Sequence, residues 1–217
     1  MNAKQIDLKS WKRYDQYEYF KTFREPFFNI CSDVDVTNLK KFCVSNDLSF
    51  FIASAYILSR TVNCIDEFKY RLNDDGVICY DKIRVSCTIL RNDKTFSFAF
   101  FNFIEDFELF YQKALETTNR IKKSTDFDTK AKADDLVYTS ILPWISFRSV
   151  EHPKREMKND SIPRFAFGKL YEDREKIYMP VSVSPHHSLM DAYHVGEFFK
   201  IYQDYCTNAN ELIKINP

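Results

Sequence analysis

The chain has 217 residues, 45% of them hydrophobic, with 31 Lys+Arg balanced by 31 Asp+Glu and only three glycines. That is enough apolar chain to bury a core as one domain over residues 1–217, and the zero formal charge offers no basic field to phosphates, which excludes nucleic acid and anionic membrane surfaces as partners. Glycine at Gly76, Gly168 and Gly196 alone leaves no G-x-G-x-x-G turn and no P-loop, so the dinucleotide and nucleoside-triphosphate cradles are excluded as well.

Residues 1–15 are polar apart from Trp11, whose ring, beside Lys12 and Arg13, anchors an edge segment. Residues 27–36 (FFNICSDVDV) alternate after their first pair and predict a strand, and Asp35 or Thr37 caps a helix that runs into NLKKFCVSN. A second helix over residues 49–65 is apolar nearly all round, which puts it inside the core. Three short runs, 77–80, 85–91 and 95–103, predict a β-meander, the last two joined by a turn at residues 91–94. Residues 105–122 carry Phe107, Phe110, Tyr111, Ala114 and Leu115 at helical spacing and predict an amphipathic helix. Hydrophobicity collapses over residues 124–135, a surface loop. Strands follow at 136–147, broken at Pro143, and at 165–172 and 177–184, the last two a hairpin across residues 173–175; a polar loop fills 148–164. The chain closes with a helix over 191–206 capped by Asp191. Strands and helices interleave without strict βαβα alternation, so the fold class is α/β, a mixed β-sheet flanked by helices.

The six cysteines contain no C-x-x-C pair and the N-terminus (MNAKQIDLKSWKR) is polar and charged, so the expectation is a cytoplasmic protein with reduced thiols and no bound metal. The longest mostly apolar stretch, residues 48–58, falls short of the roughly 20 residues a membrane span needs.

Histidine is scarce, yet His186, His187 and His194 of the four lie in one stretch, SVSPHHSLMDAYHV, where a strand gives way to a helix. Side chains at such a junction reach a cleft while the scaffold holds them. Adjacent residues at a strand end point to opposite sides, so His186 and His187 do not both face one substrate. A neutral imidazole takes a proton from a hydroxyl or thiol near pH 7 when its other nitrogen is held by a hydrogen bond. Asp191 either orients such a histidine or pairs with an arginine. Two other readings stand beside catalysis: purely structural histidines, or a metal site of His187, Asp191 and His194, for which the sequence shows no further ligand.

The stretch HHSLMDAYHV resembles the H-H-x-x-x-D-G signature of the chloramphenicol acetyltransferases, shared with the acyltransferase cores of 2-oxo acid dehydrogenase complexes. The resemblance runs in family order along the chain: Ile6-Asp7-Leu8 to Trp11-Lys12-Arg13, Asp35-Val36-Thr37, Thr95-Phe96-Ser97, Thr139-Ser140-Ile141-Leu142-Pro143-Trp144 and Met179-Pro180-Val181-Ser182-Val183. It implies a chloramphenicol acetyltransferase-like two-layer sandwich, assembled as a homotrimer with active sites at subunit interfaces. It implies an O-acetyltransferase that moves acetyl from acetyl-CoA to a hydroxyl of a small acceptor, nominally chloramphenicol. His187 is then the general base, Ser140 the donor to the oxyanion, and Asp191 with Arg13 an ion pair that shapes the site. His186 remains structural. Lys169, Trp144 and Phe51 take the cofactor side, and Phe20, Phe27, Phe96, Phe98 and Tyr138 the acceptor side.

The departures from the pattern are specific. Ala192 replaces the signature's glycine, and Ala166 stands at the threonine that helps solvate the oxyanion. Phe20, Phe27, Phe98 and Tyr138 each add bulk or remove a polar handle from the acceptor pocket, and Leu170 stands where many members carry an aromatic. A pocket without polar partners loses its grip on a polar diol and suits a flatter apolar alcohol. The alternatives are a catalytically weak or silent trimeric homologue that binds acyl-CoA or a small hydrophobic ligand, and acyl transfer to a thiol carrier.

Overall fold

The computed structural model describes residues 2–127, 134–153 and 159–214. In chain order its elements are β1 (Ala3–Gln5), α1 (Tyr14–Phe20), β2 (Ile30–Asp35), α2 (Thr37–Ser45), α3 (Phe50–Cys64), a 3-10 turn (Asp66–Lys69), β3 (Tyr70–Asn73), β4 (Gly76–Tyr80), β5 (Arg84–Leu90), β6 (Phe96–Phe101), α4 (Phe107–Lys123), β7 (Leu136–Leu142), β8 (Arg164–Gly168), β9 (Tyr171–Asp173), β10 (Lys176–Ser184), α5 (Ala192–Thr207) and α6 (Ala209–Leu212). The large sheet has the order β2-β10-β8-β7-β5-β6, with β9 also on β10. β5, β7 and β8 run parallel and the remaining pairs antiparallel, so the sheet is mixed, as expected.

One face of this sheet is covered by helices. α3 lies between α4 and α5, and α5 touches α2. Val85, Cys87, Val137, Phe165, Phe167, Val181 and Val183 point from the strands into that layer. α3 is buried on nearly all sides, and Ser49 caps it by accepting the Ile52 N–H. Ser59, fully buried within it, has an Oγ without a hydrogen-bond partner among the described residues. Ser59→Ala is therefore expected to stabilise the chain by about 1 kcal/mol, because it removes an unsatisfied hydroxyl and installs a better helix former. A denaturant midpoint at or below that of the parent chain would count against this.

The predicted meander is half right. β5 and β6 form the hairpin, with Arg91 N–H donating to the Thr95 carbonyl at 2.8 Å. β4 belongs instead to a separate sheet of order β1-β4-β3. A strand has two hydrogen-bonding edges, and both edges of β4 are taken, by β1 and by β3, so none remains for β5. Trp11 anchors the neighbouring edge as expected, packed on Tyr17 and Tyr70. Of the two predicted loops, residues 128–133 and 154–158 lie outside the described residues.

The hairpin after β8 turns at Arg174 and Glu175, both with positive φ, 47° and 65°. Side-chain-bearing residues resist this conformation, which a two-residue hairpin turn requires and glycine adopts freely. Glu175→Gly is expected to raise the melting temperature by about 2–4 °C, the equivalent of roughly 1 kcal/mol in a chain of this size. No helix among the described residues is long and apolar enough to cross a membrane.

Candidate active site

The β2–β10 ladder continues past the strand ends to a bridge between Phe27 and His186, and His187 N–H donates to the Pro26 carbonyl at 2.8 Å. With the backbone pinned, the two rings take opposite environments. His186 is buried, 4% exposed, with the Phe27 ring edge-on at 5.1 Å. The Ser188 N–H donates to His186 Nδ1 at 3.3 Å, so Nδ1 is the acceptor and the proton of the neutral ring sits on Nε2. Burial, reinforced by the charges of Arg164 and His187, pulls the His186 pKa from 6.5 down to about 4.

That shift makes stability pH-dependent. The unfolded imidazole binds a proton near pH 6.5 and the folded one only near pH 4, so the stability present above pH 6.5 drains away as pH falls between them. The expected loss is about 2 kcal/mol by pH 5. Urea titrations at pH 7 and pH 5 should show this difference in the parent chain and a much smaller one in His186→Gln.

His187 is half-buried and differently held. Its Nδ1 lies 3.3 Å from the Met190 carbonyl, which can only accept, so the proton is on Nδ1 and the Nε2 lone pair has no partner among the described residues. Phe20 stacks on its ring at 3.8 Å and 11°, and Phe28 leans against it at 4.6 Å. α1, an element the sequence reading did not anticipate, therefore contributes at both ends. Phe20 closes it, and Arg13 opens it by donating from Nη1 to Asp191 Oδ2 at 2.5 Å and from Nη2 to the His187 carbonyl at 3.2 Å.

Of the two roles left open for Asp191, the arginine pairing is the one found. Its Oδ1 accepts the Tyr193 N–H and caps α5 as predicted. Burial pushes its carboxyl pKa up, but the Arg13 hydrogen bond and charge, with His194, outweigh burial and hold it below the usual 3.8. The Asp191 side chain is 37% exposed, so the pair is not sealed from water and its loss costs less than the roughly 3–5 kcal/mol of a buried pair. His194 accepts the Asp191 N–H on Nδ1 and faces Glu67 with Nε2 at 3.4 Å, which leaves neither nitrogen for a metal shared with His187. Glu67 carries no motif that could have flagged it.

Ser140 lies elsewhere, on the face of the sheet away from the helices. It pairs across β7–β8 with Ala166, and Ala166 pairs across β8–β10 with Ser182. His187 is five residues beyond Ser182 on the same line of chain, about 16 Å along the strand direction and two strands across. One chain does not bring the two side chains together. The Ser140 hydroxyl has no partner among the described residues, and Ala166 presents a methyl beside it.

The other predicted residues divide in the same way. Phe20 and Phe27 belong to the histidine end. Phe98 faces Thr88 across β5–β6 and Tyr138 faces Ser86, both on the open face near Ser140, with Phe96 two residues from Phe98 on the edge strand. Trp144, 62% exposed, and the exposed Lys169 sit together where β7 and β8 end, joined by the Lys169 N–H to the Ile145 carbonyl at 2.9 Å. Phe51 does not join them. It packs on Phe101, whose row is that of Val137, five residues from the Leu142–Gly168 row. Phe28, which touches His187, and Met190, which fixes its tautomer, were not singled out in the sequence.

A sequence model described as chloramphenicol acetyltransferase matches residues 1–203. The chloramphenicol acetyltransferase of Staphylococcus aureus is 28% identical over 214 residues, 97% of this chain and 99% of that one. That of Escherichia coli is 26% identical over 202 residues, 93% of this chain and 92% of that one. Among solved structures, a chloramphenicol acetyltransferase superposes with a TM-score of 0.87 at 26% identity, covering 94% of this chain and 100% of that one. The dihydrolipoamide acetyltransferase of Azotobacter vinelandii, 13% identical with a TM-score of 0.70 over 91% of this chain and 88% of that one, shares the fold. A match over nearly the whole length, on a scaffold that presents one imidazole nitrogen free and its partner tied, makes this chain an acyltransferase and a member of the chloramphenicol acetyltransferase family.

Proposed function

We propose that the chain moves acetyl from acetyl-CoA to a hydroxyl of a small acceptor, nominally chloramphenicol, as a cytoplasmic homotrimer in which residues 1–217 act as one domain. The observation that carries the reading is the state of His187, with Nδ1–H tied to the Met190 carbonyl, the ring face on Phe20 and Nε2 bare. An imidazole held this way is a neutral base with one lone pair to offer. Nε2 takes the hydroxyl proton while the acceptor oxygen bonds to the thioester carbon and the carbonyl pair moves onto its oxygen. Collapse of this tetrahedral species breaks the carbon–sulfur bond, and the leaving sulfur takes the proton back from the imidazolium. The products are an O-acetyl ester and CoA.

Ser140 donates to the oxyanion from a neighbouring subunit, since its distance from His187 within one chain supports no direct cooperation. Arg13 and Asp191 hold the backbone of the histidine loop rather than its ring. Lys169 and Trp144 suit the phosphates and adenine of CoA, as an exposed cation close in the fold to an exposed ring. Phe20 and Phe27 from one chain and Phe96, Phe98 and Tyr138 from the next line the acceptor side. The domain reading is supported by Arg71, which, from β3 of the small sheet, donates to the Leu136 carbonyl at the start of β7.

The test is CoA release from acetyl-CoA with and without chloramphenicol, read by an assay insensitive to the six cysteines. Acceptor-dependent release supports the proposal. Binding of acetyl-CoA with no release to any alcohol of a panel overturns it in favour of a silent binding homologue.

A further inference from the structure

The peptide that joins Met190 to Asp191 lies between two imidazoles. Its carbonyl is 3.3 Å from His187 Nδ1, and its N–H donates to His194 Nδ1 at 3.1 Å. A trans peptide is planar, with C=O and N–H on opposite sides, so whatever fixes the N–H also fixes where the carbonyl points. Arg13 grips the histidine loop at the His187 carbonyl and the Asp191 carboxylate, and His194 grips it at this peptide.

His194 stands at the third position of α5, where a capping box carries glutamate or glutamine to accept the N–H of the capping residue. A carboxylate or carboxamide always has an oxygen to offer there. An imidazole accepts only on the nitrogen that lacks the proton. With its proton on Nδ1, His194 would set donor against donor at the Asp191 N–H, so this box works only while the proton is kept on Nε2.

Glu67 is placed to keep it there. Its Oε1 lies 3.4 Å from His194 Nε2, and the two side chains are only 24% and 14% exposed. The 3-10 turn that carries Glu67 is itself held in place. Phe68 is fully buried against Phe165 and Phe198, at 5.8 and 5.6 Å, and its carbonyl accepts from Arg71 Nη1 at 2.9 Å. Burial pushes the Glu67 carboxyl pKa up, but the hydrogen bonds from His194 and from the backbone outweigh burial and hold it below the usual 4.5. Near neutral pH the group is therefore an acceptor with no proton of its own to give.

We propose that Glu67 is a positioning residue for acetyl transfer: by taking the Nε2–H of His194 it turns that ring's Nδ1 onto the Asp191 N–H, and so aims the Met190 carbonyl that keeps the His187 proton on Nδ1. It rests on the acetyl-transfer reading and adds to it a residue that touches neither substrate nor His187. One imidazole and one peptide separate the carboxylate from the His187 ring, and every link is a hydrogen bond of defined direction.

The imidazole nitrogens report the relay directly. In the 15N-histidine-labelled chain above pH 8, long-range 1H–15N NMR should show His194 protonated on Nε2 and His187 on Nδ1, with the signals assigned from His194→Gln and His187→Gln. Glu67→Ala is expected to move both rings toward mixed tautomers and to lower kcat on the order of tenfold, with the KM for acetyl-CoA within about twofold of the parent value. Glu67→Gln keeps an oxygen that accepts from Nε2–H, and should restore both the parent tautomers and kcat to within about twofold. Glu67→Asp draws the carboxylate back by one methylene while keeping its charge, and should repeat the tautomer shift even if Glu67→Ala does not fold. An unchanged His187 tautomer in the folded Ala or Asp variant overturns the proposal, as does a kcat that Glu67→Gln fails to restore. If the tautomers shift as expected while the parent chain acetylates no alcohol, the relay stands and the acetyl-transfer reading fails.

Discussion

Replacing His187 with alanine is expected to lower kcat by about three to four orders of magnitude, with the KM for acetyl-CoA nearly unchanged. The ring touches Phe20, Phe28 and the Met190 carbonyl, none of which has been assigned to the cofactor side, so its removal leaves CoA recognition alone. What is lost is the lone pair on Nε2, whose orientation depends on the proton being kept at Nδ1 by Met190. His187→Gln has a similar reach but cannot take up a proton and should be as slow as the alanine variant. Pre-steady-state measurement of CoA release separates this from a binding defect. Activity within tenfold of the parent in both variants would remove His187 from the chemistry. Because the ring is half-buried and stacked, a modest fall in denaturant midpoint accompanies either change, and midpoints should be measured alongside the rates.

Local chemistry made some of this arrangement readable in the sequence. Asp191 announces the start of α5 because capping is a short-range hydrogen bond between a side chain and the next backbone N–H groups, whereas the cap expected of Asp35 or Thr37 is not found, Val36 standing at the start of α2 without a side-chain cap. The alternation at residues 186 and 187 foretold one buried and one reachable histidine. Other features depend on partners far along the chain. β4 looked like the first strand of a meander because periodicity reports a strand and not its neighbours, and its edges go to residues 3–5 and 70–73. α1 has seven residues, too few for a periodic signal, though Tyr14, Tyr17 and Phe20 do recur at intervals of three. The carbonyl that fixes the His187 tautomer leaves no trace in the sequence, since every residue type carries one. The contact of Phe51 with Phe101 is set by its place on α3, which its aromatic character alone does not specify.

Register carries the second large prediction. Ser140, Ala166 and Ser182 share a row, and His187 lies about 16 Å further along β10's line, so a site that uses both side chains must draw them from two chains. Ser140→Ala alone is expected to lose about a hundredfold or more in kcat, the usual cost of one oxyanion donor. His187→Ala chains and Ser140→Ala chains should each be nearly inactive as pure assemblies. Co-refolded in equal amounts, they behave differently. In a closed trimer each site takes its histidine from one subunit and its serine from the next, so both are intact in about one site in four. Activity should therefore rise from the background of either variant to roughly a quarter of the parent value. It should fall away as the mixing ratio departs from one to one, following the product of the two fractions. A mixture no more active than the average of its parts would mean that the two residues serve one chain or do not cooperate at all, and the interfacial site would go with that result. The measurement needs no knowledge of the natural acceptor, because any alcohol that the parent chain acetylates reports the same ratio.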